Sequence, residues 1–163
     1  MKVLGIDPGL ANTGWAVIEY LPNGEIKCLN GGTIITRSGQ PEGKRLEFII
    51  TRIEQAILQF QPCLGAYEKT YFNKPSMEKV YKTTGAIMVL FHKAGIEFEG
   101  YQPQVIKQGI TGNRSANKDQ IKRCVESIIR ARLDKCSEHQ IDAVAVAITA
   151  GNIKSFSKAI GGV

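Results

Sequence analysis

Four residues carry the chemistry this sequence offers. Asp7 lies in GIDPG at the end of the apolar run KVLGI, and Glu68 closes a second short apolar run, CLGAYE. His139 and Asp142 stand three apart in HQIDAVAVAIT near the other end of the chain. A carboxylate at the end of a buried strand is unfavourable unless a cation or a donor meets it. Gly5 and Gly9 flank Asp7 and allow a tight backbone or a close approach to a ligand. Residues three apart share one helix face, so His139 and Asp142 project together. Each has a plainer explanation when taken singly: Asp-Pro-Gly is a common turn, Glu68 could sit at an exposed strand end, His139 could be a solvated first-turn residue, and Asp142 could complement a helix N-terminus. Together they form a set suited to divalent cations facing a phosphodiester. In such sites one ion generates hydroxide while a second, about 3.5–4 Å away, stabilises the leaving oxygen. Carboxylate oxygens suit hard Mg2+.

Holding these groups together requires strands that end side by side and a helix that begins over them, and the hydropathy pattern supplies both. KVLGI at 2–6 reads as a strand buried on both faces. GWAVIEY at 14–20 and EIKCLNGGTIIT at 25–36 follow, joined as a hairpin through PNG at 22–24. Leu46, Ile49, Ile50, Ile53, Ile57 and Phe60 recur at helical spacing up to Pro62. After the strand at 63–68 come a helix over 75–94, a strand at 96–101, a short helix at 103–109 and a loop over 111–117. Helices over 117–133 and from Ser137 onward finish the chain, the last opened by a capping box of Ser137 and Gln140. This order indicates one α/β layer fold with a mixed sheet, a single domain over 1–155 with a short tail at 156–163.

With 163 residues, 43% of them hydrophobic, the chain has the composition of an ordinary globule with one core. Its longest apolar runs, 86–91 and 143–148, are too short to cross a bilayer. Asp7 interrupts the place where a signal peptide needs its apolar stretch. The expectation is a chain that is not secreted and meets no membrane. Four cysteines without a CxxC pair read as reduced thiols of a cytosol-like compartment. The net charge of +6 is unevenly spread, because residues 69–135 hold 13 basic and 6 acidic residues while residues 1–68 hold 6 and 7. Lys69, Lys74, Lys79, Lys82, Lys107, Arg114, Lys118, Lys122 and Arg123 lie in that basic middle stretch, which favours a phosphate backbone through counterion release. Solvated helix faces would give the same count.

The segments GIDPGLANTGWAVIE, AYEKTYF, PQVIKQGITGNRSANK and HQIDAVAVAIT, in this order and spacing, resemble the RuvC family of Holliday junction resolvases over nearly the whole chain. The resemblance implies an α/β, RNase H-like fold with a mixed five-stranded sheet flanked by helices. It also implies a homodimer and Mg2+-dependent, paired symmetric nicking of four-way junction DNA in recombination and repair. It places Asp7, Glu68, His139 and Asp142 on the family's metal-binding tetrad; the expectation built on it is two Mg2+ per site, with Mn2+ able to substitute and Asp7 between the ions. Lys107 and Lys118 fall on basic positions near the scissile phosphate, and Tyr71 or Phe72 on the aromatic position that packs against opened bases. Lys74 and Arg114 join them as expected DNA contacts. A branch-migration motor is a further possible partner, and the compartment is that of the bacterial cytoplasm or an organelle or phage equivalent.

Two departures carry consequences. His139 stands where many members have Asp, which leaves three negative charges rather than four and implies weaker Mg2+ binding, a shift towards Mn2+, and activity that falls as the imidazole protonates. The stretch 73–84 is shorter than usual where DNA and the dimer interface are expected. Val80, Ile87, Met88 and Phe91 give the helix over 75–94 more apolar surface than a core requires, so part of it is expected at the dimer contact. Competing readings are an ATP-binding module of the actin and sugar-kinase type, which needs two such domains, an RNase H-like nuclease acting on other nucleic acid, and a junction-binding protein that does not cut.

Overall fold

The computed structural model describes residues 1–70 and 77–161. Strands β1 (Lys2–Asp7), β2 (Asn12–Tyr20) and β3 (Ile26–Ile35) come first, then α1 (Glu42–Phe60), β4 (Leu64–Glu68), α2 (Met77–Lys93), β5 (Glu97–Tyr101), α3 (Pro103–Thr111), α4 (Lys118–Ile129) and α5 (Glu138–Ala159). The strands form one mixed sheet in the order β3-β2-β1-β4-β5. β2 runs antiparallel to both β1 and β3, whereas β4 is parallel to both β1 and β5. This is the expected mixed five-stranded sheet with its expected hairpin.

The two-residue alternation of a strand sorts side chains between two cores. Val3, Ala16, Ile18, Leu64 and Ala66 face α5, together with Ile106 and Ile110 of α3 and Ile121, Val125 and Ile129 of α4. Leu4, Ile6 and Val17 face the opposite way, onto Ile49 and Ile53 of α1 and Ile87 and Phe91 of α2. There Phe98 stacks on Phe91 and on Tyr67, with ring centroids 4.3 and 4.7 Å apart. α5 lies between the sheet and the α3–α4 pair, which explains why Ala143 to Ile148 are all buried. A helix sandwiched between two layers is apolar all round.

Some boundaries differ from the sequence pattern. The helix expected to reach Leu133 ends at Ile129, where Arg130 takes a left-handed conformation and donates its N–H to the Glu126 carbonyl. The Glu126 carboxylate then accepts from the Leu133 N–H at 2.8 Å, so Leu133 reaches the core from outside the helix. α4 opens with a full capping box of Asn117 and Gln120. Ser137 does accept from the Gln140 N–H, at 3.1 Å, and its hydroxyl also bonds Thr33 on β3. Of the apolar residues expected to exceed the core's needs, Ile87 and Phe91 are fully buried, while Met88 (44% exposed) and its neighbour Val89 (53%) remain on the surface. α5 continues as helix to Ala159. Among the described residues no helix is long and apolar enough to cross a membrane.

Candidate active site

Strand parity brings the two strand carboxylates together. β1 and β4 pair in parallel with Gly5 opposite Ala66 and Ile6 opposite Tyr67, so Asp7 and Glu68 follow at adjacent strand ends. Val3, Gly5 and Asp7 share one face of β1, and Leu64, Ala66 and Glu68 share the same face of β4. That face is the one α5 covers.

The helix comes unusually near the sheet. A Cβ at Gly5 would stand 2.1 Å from the Ala143 carbonyl oxygen and 2.8 Å from the Ala147 Cβ, and one at Gly14 would stand 1.9 Å from the His139 carbonyl oxygen. Only glycine tolerates these approaches. Gly5 therefore lies within β1, where it receives the helix, rather than forming part of the turn after Asp7. The contact sets His139 over Asp7, and the His139 Nδ1 lies 2.7 Å from the Asp7 Oδ2.

Glu68 and Asp142 line a cavity of about 140 Å3 with Lys107 and Lys118, over an apolar floor of Ile106, Ile121 and Ala145. Burial, reinforced by the charges of Asp142 and Asp7, pushes the Glu68 carboxyl up to about 7, against the opposing pull of Lys107 and Lys118. Burial and the Asp7 charge push Asp142 up to about 6, opposed by Lys118 and His139. Lys118 is itself held by an ion pair with Glu138, which raises its affinity for its proton. Crowded carboxylates that resist ionisation gain most from a positive partner.

Arg114 lies elsewhere, in a groove with Gln102, Gln104, Gln108 and Asn152 on the far side of α3. Tyr71, Phe72 and Lys74 lie outside the described residues.

The family model for RuvC, the crossover junction endodeoxyribonuclease, matches residues 3–150. The chain belongs to this family. A RuvC crossover junction endodeoxyribonuclease of Wolbachia pipientis subsp. Culex pipiens is 36% identical over 159 residues, covering 96% of this chain and 95% of that protein. The RuvC structure of Thermus thermophilus superposes with a TM-score of 0.87 at 28% identity, over 99% of this chain and 98% of that one. The Thermus thermophilus protein in complex with a Holliday junction substrate superposes at 0.85 with 26% identity, again over 99% and 98%. The fold is thus RNase H-like, as the resemblance implied.

In this RuvC-family chain the donor chemistry fits a hard divalent cation. Three carboxylates and an imidazole gather at one end of the sheet, and burial among like charges raises two of the carboxyls, Asp142 to about 6 and Glu68 to about 7. Among the described residues, however, no three such side chains converge on one point as they stand. The Asp7 carboxylate is instead engaged by His139. Sequence reasoning missed Gly14 as the seat of α5 and Glu138 as the partner of Lys118. The first has a readable signal, because Gly14, Ala16 and Ile18 follow the same alternation as Val3, Gly5 and Asp7. The second has none, since Glu138 meets Lys118 across 20 residues of chain.

Proposed function

We propose that Asp7, Glu68, His139 and Asp142 form the catalytic centre of this chain and would hold its divalent cations, two Mg2+ per site with Mn2+ able to substitute. As a RuvC-family member the chain is a structure-specific endonuclease that resolves Holliday junctions. The observation that carries the assignment is the cavity in which Glu68 and Asp142 face Lys107 and Lys118 beside the Asp7–His139 pair. Bound cations would supply positive charge against the phosphodiester and lower the pKa of a water.

The chain's own residues do the rest. His139 orients Asp7, and the apolar floor of Ile106 and Ile121 limits water around Glu68 and Asp142. Lys107 and Lys118 offset the carboxylate charge in the resting site and meet negative charge as it develops on the phosphate. Losing one such donor commonly lowers the rate by about 10²–10³. Arg114, Lys74, Tyr71 and Phe72 are proposed DNA contacts outside the carboxylate cavity. Two nicks placed symmetrically on a two-fold junction call for two copies of the site, and the exposed Met88 and Val89 on α2 are the proposed surface for that homodimer. A branch-migration motor remains a proposed partner.

Cleavage of an end-labelled synthetic four-way junction in Mg2+ or Mn2+ tests the assignment, with linear duplex, RNA–DNA hybrid and Asp7→Asn run alongside. The expected result is paired nicks on the junction alone, lost in Asp7→Asn. Tight junction binding without nicks in either metal would identify a recognition protein, and cutting of the hybrid alone a different nuclease.

A further inference from the structure

Arg45 lies in the first turn of α1 and is only 5% exposed, yet among the described residues it makes no ion pair with a carboxylate. Burying a guanidinium without a counter-charge is strongly unfavourable unless its N–H groups are well used. Its Nε donates to the Thr36 hydroxyl at 2.8 Å, and that hydroxyl donates onward to the Leu10 carbonyl. Thr36 is itself buried, just past the end of β3, and its backbone N–H bonds the Ala11 carbonyl at 2.9 Å. On the other side of the same loop the fully buried Thr13 donates its hydroxyl to the Gly9 carbonyl at 2.7 Å. Three successive carbonyls after Asp7 and Pro8 are therefore pinned, two of them through Thr36.

The polarity of this chain of bonds matters. A hydroxyl has one hydrogen and can point it either way, whereas a guanidinium only donates. With Arg45 behind it, Thr36 must accept from the arginine and give its hydrogen to Leu10. We propose that Arg45 is a positioning residue: acting through Thr36, it fixes the loop Pro8–Ala11 and hence the aim of the Asp7 carboxylate. This rests on the assignment of Asp7 to the cation site.

The test is Mn2+ affinity of the full chain without DNA, read from the free Mn2+ signal by electron paramagnetic resonance, beside circular dichroism and junction binding. Thr36→Val keeps the shape and removes the hydroxyl, and Thr36→Ser restores it. For a folded Thr36→Val the expected result is normal junction binding with Mn2+ affinity lowered about tenfold, the equivalent of one hydrogen bond, and wild-type affinity in Thr36→Ser. Arg45→Gln keeps a donor but can also accept, so it loses the polarity of the relay. It should weaken Mn2+ in the same way, and it serves if Thr36→Val does not fold. Folded variants with unchanged Mn2+ affinity overturn the proposal, whatever their melting temperatures. Asp7→Asn separates the two readings: if it too leaves Mn2+ affinity unchanged, the assignment of Asp7 fails, and with it the basis for the relay.

Discussion

The two faces of the sheet are packed on opposite principles. Towards α1 and α2 the strands present Leu4, Ile6 and Val17 to Ile49, Ile53, Ile87 and Phe91, so large side chains hold the layers apart. Towards α5, beside Val3, Ile18 and Leu64, they present Gly5, Gly14 and Ala16, and α5 answers with Ala143 and Ala147, so at those points backbone approaches backbone. Burying large side chains, as the first face does, removes much apolar surface from water, which favours stability. The second leaves little room for adjustment, because a helix seated on glycine has no side chains to yield. Every proposed cation-holding residue is on the second face. Stability and placement of the site are thus largely separate tasks of the same sheet.

A pair of small substitutions puts that separation to the test. Ile53→Ala removes a fully buried side chain from the first face and should lower unfolding free energy by about 2–5 kcal/mol. Measured below its melting temperature, it should cleave junctions at close to the wild-type rate. Gly5→Ala adds one methyl group on the second face, against the Ala143 carbonyl. It should reduce cleavage by about 10²-fold, the usual consequence of displacing a reactive group by an ångström. Equal losses of cleavage in the two variants, compared while both are folded, would erase the distinction.

The carboxyls of the second face also make a pH signature. Glu68 and Asp142 hold protons more tightly in the folded chain than in the unfolded one. Their contribution to stability is therefore complete below the ordinary values of 4.5 and 3.8, and is lost as pH rises through about 6 for Asp142 and about 7 for Glu68. In the absence of divalent cations the melting temperature should fall between pH 4.5 and about 7.5. Added Mg2+ or Mn2+ should restore it at pH 8, because a ligand of the folded state alone stabilises that state. Glu68→Gln should flatten the upper part of the curve, whereas Ile53→Ala should shift the whole curve down without changing its shape.

The smallest expected effect concerns the rim. Lys118 and Glu138 are both exposed, and an exposed ion pair contributes little to stability. Glu138→Gln should leave the melting temperature where it is. It should alter cleavage by less than about tenfold, well short of the loss expected for Lys118→Ala. A drop as large as that of Lys118→Ala would make Glu138 part of the site rather than a support for the lysine.

Much of this was legible in the residues. The apolar run ending at Asp7, the run ending at Glu68 and the helical spacing of Leu46 to Phe60 each follow from short-range periodicity, and the strands and helices appear where that periodicity puts them. The end of α4 was less legible, because Ala131, Arg132 and Leu133 continue the helical pattern while a left-handed Arg130 and the Glu126 carboxylate stop it. Arg45 was invisible for a similar reason: a single arginine on an amphipathic helix reads as a surface charge until Thr36 and Leu10 are seen beside it.

By itself, the sequence determined the elements, the parity that puts Asp7 and Glu68 on one face, and the family to which the chain belongs. These depend on residue type at spacings of two to four, which neighbours along the chain enforce. Only the tertiary structure decided that Gly5 and Gly14 seat α5, that His139 engages Asp7 across 132 residues, and that Lys107 and Lys118 share a cavity with Glu68 and Asp142. Those relations hold between residues distant in the chain, and no local preference encodes a distance across the fold.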